Sequence, residues 1–96
     1  MPETLAPGTL LSRYRLDALV GQGGMGAVYR ATRVDDGAVV AIKTLHPQIA
    51  KKLEWQKRFL REARAAMAAS HPNVVRIYEV FEHDDTPVLA MELLDG

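Results

Sequence analysis

The most informative run of residues in this 96-residue chain is Gly21-Gln22-Gly23-Gly24-Met25-Gly26-Ala27-Val28, which contains a GxGxxG pattern. On its own this pattern is a weak signal, because similar glycines occur in dinucleotide-binding folds, in phosphate-binding loops and in ordinary flexible turns. The residues on either side of the glycines therefore decide which of these structures is predicted.

Strand-forming residues flank the glycines on both sides. Residues 14–20 precede them, and residues 27–32 follow with an alternation of small or apolar and polar side chains. Asp36-Gly37 then separates this second run from residues 39–43, which are rich in β-branched side chains, and an Asp-Gly pair between two strands predicts a tight hairpin. The glycines are thus expected at the tip of a hairpin in a group of three successive strands.

This setting argues against two common nucleotide-binding structures. In a Rossmann unit the glycines open a helix, whereas here a second strand follows them. A Walker loop continues with lysine and serine or threonine, whereas Ala27 and Val28 follow the last glycine here. What remains is a hairpin whose unobstructed backbone amides can lie over polyphosphate oxygens, or a mobile surface hairpin that binds nothing.

The second half of the chain predicts one helix and two further strands. Residues 51–69 are strong helix formers with apolar side chains at steps of three and four, and His71-Pro72 is expected to end the helix. Residues 74–81 and 87–92 are typical of strands. We therefore predict an α+β fold, a five-stranded and mostly antiparallel sheet covered by one main helix, with residues 1–12 as a lead-in segment and residues 13–96 as the domain.

Composition excludes several classes of protein. Twelve basic residues balance twelve acidic ones, so we expect no attraction to nucleic acid or to an anionic membrane. The chain has no cysteine, and it shows neither a signal peptide nor an apolar run of membrane-spanning length, so a cytoplasmic location is expected. We also expect no metal site, because no two of the three histidines stand at ligand spacing on one element.

Lys43 is the candidate phosphate-binding side chain. It ends an otherwise apolar strand, where burying an ammonium group costs free energy unless an anion compensates the charge. The alternative is that the lysine extends its side chain from the strand end into water. Glu62 lies nineteen residues later on the predicted helix, where it would orient Lys43 or would pair with Arg58 or Arg64 on the helix surface.

The glycine pattern followed by Val40-Ala41-Ile42-Lys43 resembles the eukaryotic-like (Hanks-type) serine/threonine protein kinases of bacteria, in particular their amino-terminal lobe. The resemblance implies that Lys43 holds ATP phosphates and that Glu62 pairs with it as the glutamate of the αC helix. It further implies that Met91 is the gatekeeper, and that the nucleotide is bound by Val20, Gly21, Gln22, Gly23, Gly24, Met25, Gly26, Val28, Ala41, Lys43, Met91, Glu92 and Leu94.

The family's catalytic loop (HRDxxxxN) and its DFG segment do not occur in these 96 residues. The resemblance therefore implies that the Mg²⁺ ligands, the catalytic base and the surface that binds the protein substrate belong to a carboxy-terminal lobe. We expect the chain by itself not to transfer phosphate. We also expect the apolar surface that a carboxy-terminal lobe would cover to favour self-association of the chain. The alternative is a non-catalytic, kinase-like module that binds nucleotide or a partner.

Overall fold

The computed structural model describes residues 5–68 and 76–93. Across these residues, strands and helices follow in the order β1 (Leu10–Leu11), β2 (Tyr14–Gln22), β3 (Gly26–Arg33), β4 (Val39–Leu45), α1 (Pro47–Ala50), α2 (Leu53–Ala68), β5 (Ile77–His83) and β6 (Thr86–Met91). The strands form one sheet in the order β1-β2-β3-β4-β6-β5, and every neighbouring pair is antiparallel. The predicted α+β fold with one main helix is confirmed, with six strands instead of the predicted five.

The additional strand is β1, in the segment predicted as a lead-in. Leu10 pairs with Arg15 and Leu11 pairs with Tyr14 across a tight turn in which Ser12 has a φ of 57°. Leu11 is buried in the core. A two-residue strand is too short for an alternating pattern, and serine is not a typical residue for positive φ, so the sequence carries no clear signal for it.

The predicted Asp-Gly hairpin joins β3 to β4. Gly37 has a φ of 76°, and the Asp36 carboxylate accepts hydrogen bonds from the Arg33 side chain at 2.9 and 3.0 Å. The Ala38 amide donates to the same carboxylate at 3.0 Å. These bonds to Arg33 and then to Ala38 hold the pKa of Asp36 below its usual range, and the turn is stabilised by its charged form.

The sheet curls strongly, so that β2, near one edge, contacts β5 at the opposite edge. Tyr14 on β2 stacks on Phe81 of β5 with ring centroids 5.7 Å apart, and the Tyr14 hydroxyl donates a hydrogen bond to the Glu79 carboxylate. The concave side encloses an inner core made of Leu11, Tyr14, Leu16, Ala27, Tyr29, Ala31, Val40, Ile42, Val88 and Ala90.

Helix α2 packs on the opposite side of the sheet. Phe59 and Ala63, four residues apart on one helix face, are buried against Leu45 and Leu89 of the sheet. The basic side chains of the helix are exposed, as the spacing predicts. Helix α2 begins at Leu53, two residues later than predicted, and the short helix α1 before it, which starts with Pro47, was not predicted.

Several expected features fall outside the described residues. They are the predicted end of the main helix at His71-Pro72, the first residues of the fourth predicted strand, and Leu94. Within the described ranges, no helix combines the length and the apolar character needed to cross a bilayer.

Candidate functional site

A cavity of about 260 Å³ lies between the sheet and helix α2. We call it the lysine pocket, and it is lined by Val28, Lys43, Phe59, Glu62, Ala63, Ala66, Ile77, Leu89 and Met91. Four of the residues predicted from the sequence, Val28, Lys43, Glu62 and Met91, are therefore brought together here. Among the described residues the remaining lining is apolar, and Lys43 and Glu62 are the charged residues of the pocket.

The strand register explains this grouping. Lys43 on the central strand β4 lies between Val28 of β3 and Leu89 of β6, which are its direct cross-strand neighbours. Because side chains alternate across a strand, Val40 and Ile42 enter the inner core while Lys43 lies on the side that carries α2. The sheet therefore holds a half-buried lysine in an apolar patch.

Lys43 and Glu62 line the same pocket without pairing. Among the described residues, no carboxylate oxygen lies within 4.0 Å of the Lys43 ammonium group. The Glu62 Oε1 atom instead accepts from Arg58 Nε at 3.5 Å, one helix turn away, and both side chains are exposed. In this structure Glu62 thus pairs with Arg58 on the helix surface, which was one of the alternatives predicted from the sequence.

The glycine loop, residues 21–26, forms the hairpin tip between β2 and β3. The Gly23 amide donates to the Gly26 carbonyl at 2.9 Å and closes the tip. A Cβ atom at Gly26 would lie 3.0 Å from the Thr44 carbonyl carbon and closer still to its oxygen, so the fold itself requires glycine there. At Gly21, Gly23 and Gly24 an added Cβ would meet nothing within 4 Å.

His46 contacts the glycine loop, and no role was predicted for it from the sequence. It follows directly on β4 and is 2% exposed. Its Nε2 atom donates to the Gly23 carbonyl at 2.6 Å, and its backbone amide donates to the Met25 carbonyl at 3.0 Å. The available signal was a histidine three residues after Lys43, at the end of a strand paired with the loop, but this spacing points to no particular contact.

Other predicted nucleotide-binding residues lie outside the lysine pocket. Ala41 is buried and faces Met91 across the β4–β6 pair. Val20 is 58% exposed at an irregular position of the β2–β3 pairing. Gln22 and Glu92 are exposed, and the Glu92 amide donates to the Arg76 carbonyl at 2.7 Å.

A second, larger cavity of about 350 Å³ is lined by His46 and by residues of β1, α1 and the β5–β6 turn. It contains none of the residues predicted to bind nucleotide, and its His46 side chain is already bonded to Gly23. In the described part of the chain, no group of three or more histidine, aspartate or glutamate side chains is arranged to hold a metal ion. We therefore take the lysine pocket and the glycine loop as the candidate site.

Known proteins are similar to this chain in sequence and in fold. Residues 14–96 match the family described as Protein kinase domain. Over 96 residues the chain is 33% identical to the serine/threonine-protein kinase PknJ of Mycobacterium tuberculosis, with 100% of this chain and 16% of PknJ covered. Over 94 residues it is 43% identical to the serine/threonine-protein kinase Pkn2 of Myxococcus xanthus, with 96% of this chain and 11% of Pkn2 covered.

Solved structures show the same similarity to kinase domains. The crystal structure of the Mycobacterium tuberculosis PknI kinase domain superimposes with a TM-score of 0.74 at 30% identity, covering 97% of this chain and 38% of that domain. The chain thus spans less than a fifth of the curated relatives named above and less than half of this solved domain.

Proposed function

This chain belongs to the protein kinase family, and we propose that it is the ATP-binding, amino-terminal part of a serine/threonine protein kinase. In this proposal residues 13–96 are the amino-terminal portion of the kinase domain and residues 1–12 lead into it. The whole protein would transfer the γ-phosphate of ATP to serine or threonine of a protein substrate in the cytoplasm. The named relatives are serine/threonine-protein kinases, which supports this class of reaction.

The single observation that carries the proposal is the state of Lys43. Its side chain is half-buried in an apolar pocket, and no described carboxylate lies within ion-pair distance. A cation in such a place is stabilised by a bound anion, because desolvation of the charge is otherwise uncompensated. A phosphate group supplies that anion and several hydrogen-bond acceptors.

The loop glycines support the same ligand. Gly21, Gly23 and Gly24 have neither a positive φ nor a neighbour that a Cβ would meet, so this structure contains no reason of its own for glycine at these positions. A ligand lying against the loop gives such a reason, because bare backbone can approach polyphosphate oxygens closely.

The adenine would lie against Val28, Ala41 and Met91, with the backbone of Glu92 and Leu94 at its edge. Val28 and Met91 line the lysine pocket, and the buried Ala41 pairs with Met91 across the strands, so the residues proposed to contact the base are apolar. Mg²⁺, which neutralises charge on the transferring phosphate, would be held by residues outside this chain. The role of Lys43 is to hold the phosphates, and that of Glu62 is to orient Lys43.

We propose that the chain by itself binds ATP without transferring phosphate, since its 96 residues contain neither an HRD nor a DFG sequence. The protein substrate would be bound elsewhere in the whole protein. The apolar walls of the lysine pocket would also allow two copies of the isolated chain to associate.

Calorimetric titration of the purified chain with ATP and with adenosine tests this function. Lys43→Ala should weaken ATP binding by about 10- to 100-fold, the loss expected for one or two charged hydrogen bonds, and should leave adenosine binding within about twofold. Lys57→Ala, at an exposed position of α2 outside the pocket, is the matched control. Equal ATP affinity in the Lys43 variant, or NAD binding without ATP binding, would refute the proposal.

A further inference from the structure

We propose that His46 is a positioning residue of the nucleotide site, which holds the glycine loop in the conformation that binds the triphosphate. This inference rests on the ATP-binding function proposed above. It concerns a residue that contacts the loop and not the lysine pocket.

His46 donates two hydrogen bonds to the glycine loop. The His46 side chain donates from Nε2 to the Gly23 carbonyl at 2.6 Å, and the His46 backbone amide donates to the Met25 carbonyl at 3.0 Å. The imidazole is almost fully buried, so the first bond is shielded from competing water. One residue at the end of β4 thereby fixes two of the carbonyl groups in the loop.

Fixing the Gly23 carbonyl also directs the next amide. In a planar trans peptide the carbonyl oxygen and the following N–H group point in opposite directions, and the described chain has no cis peptide bond. The Gly24 N–H group therefore points away from His46. Among the described residues it has no hydrogen-bond partner, which leaves it available to an anion above the loop.

Packing holds the loop at Met25, which lies against the core cluster that contains Leu45 and Phe59, but it does not hold Gly23 or Gly24. Gly21, Gly23 and Gly24 are exposed and have open space around them, and the loop's one larger apolar side chain is Met25. Gly23 is thus held by two hydrogen bonds, one from its amide to the Gly26 carbonyl and one from the His46 imidazole to its carbonyl. The His46 amide holds the neighbouring Met25 carbonyl. Without the imidazole bond, the peptide between Gly23 and Gly24 would be free to rotate.

Two substitutions separate the hydrogen bond from the bulk of the ring. His46→Gln keeps an N–H donor at a reach similar to that of Nε2, whereas His46→Phe keeps a buried ring and removes the donor. Loss of one hydrogen bond predicts about fivefold weaker ATP binding for His46→Phe, with adenosine binding within about twofold of wild type. His46→Gln should restore most of the ATP affinity.

Amide hydrogen exchange of the loop, measured without nucleotide, is the second readout. Residues 23–25 should exchange faster in His46→Phe than in His46→Gln and wild type. Val88→Ala, which truncates a buried side chain away from the loop, controls for a general loss of stability.

The two proposals fail differently. If wild type binds no ATP, the proposed function fails, and loop exchange then decides the role of His46 alone. If the loop exchanges equally in wild type and His46→Phe, or if His46→Phe loses ATP and adenosine affinity equally, the positioning role is wrong.

Discussion

Glu62 shares the lysine pocket with Lys43, but its carboxylate is paired with Arg58, with Arg58 Nε 3.5 Å from Glu62 Oε1. Exposed pairs of this kind, one helix turn apart, stabilise a helix by only about 0.2 to 0.5 kcal/mol. Glu62 can therefore exchange Arg58 for Lys43 at little cost. We expect this exchange to accompany nucleotide binding.

Arg58→Ala should raise the affinity for ATP by up to about twofold, because it removes a competitor worth a few tenths of a kcal/mol for Glu62. Calorimetric titration with ATP measures this change. The gain should disappear when Arg58→Ala is combined with Glu62→Gln.

Arg61→Ala is the matched control, since Arg61 is an exposed arginine of the same helix that does not line the pocket. A similar gain in this variant, or a gain that persists with Glu62→Gln, would show that Arg58 does not compete for Glu62.

Gly26→Ala should lower the free energy of unfolding by about 1 to 3 kcal/mol, the usual cost of overpacking. The added methyl group would collide with the Thr44 backbone, which cannot move without disturbing the β3–β4 pairing. Urea denaturation followed by circular dichroism measures the loss.

Gly23→Ala provides the comparison, because a methyl group there meets open space. It should change the free energy of unfolding by no more than about 0.5 kcal/mol and should weaken ATP binding. An equal loss of stability in both variants would contradict the different roles assigned to these glycines.

Gly23 and Gly26 also show which features of the loop could be predicted from the sequence and which could not. The GxGxxG pattern with its flanking strands predicted the hairpin, and the structure confirms it. The pattern could not show that Gly26 is required by the neighbouring strand while Gly23 is not, because that difference depends on how closely Thr44 approaches in space.

Tyr14→Phe should lower the free energy of unfolding by about 1 kcal/mol near neutral pH, since Glu79 loses its hydroxyl donor. The pKa of Tyr14 is raised above its ordinary value of 10.0, first by burial and then by the hydrogen bond to Glu79 and its charge, against smaller opposing effects of Arg33 and Arg13. The contribution of Tyr14 is therefore complete below about pH 10 and is lost as the pH rises through the folded-state pKa, because the unfolded chain releases the proton first.

Urea denaturation of wild type and Tyr14→Phe between about pH 8 and about pH 11 tests this sign. The stability difference should stay constant up to about pH 10 and then shrink. A difference that stays constant up to pH 11, or one that grows with pH, would contradict the environment described for Tyr14.

The isolated chain should self-associate through the lysine pocket. Met91→Lys places an ammonium group in its apolar wall and should weaken the association by at least about tenfold, because the charge would be desolvated on contact. Sedimentation velocity over a range of concentrations measures the effect.

Val39→Lys is the control, since Val39 is an exposed apolar residue outside the pocket. A monomeric wild-type chain at high concentration would contradict this prediction, as would equal weakening by the two substitutions.

The parts of the site that could not be predicted depend on contacts between distant elements. The strand position of Lys43 followed from local pattern, and in the structure Val28 and Met91 line the same pocket as Lys43. The hydrogen bond from His46 to Gly23 depends on how the loop curves, and the pairing of Glu62 with Arg58 depends on how the helix is oriented. Neither property produces a repeating pattern in the sequence. For the same reason the two-residue strand β1 has no pattern of its own.

The most direct test of the central claim is a titration of the ¹⁵N-labelled chain with ATP, followed by amide chemical shifts. Our account predicts the largest changes at the glycine loop, residues 21–26, and at Val28, Lys43 and Met91, with the loop changes reduced when adenosine replaces ATP. Changes confined to the larger cavity, for example at Leu11 and Thr86, or no changes at millimolar ATP, would contradict it.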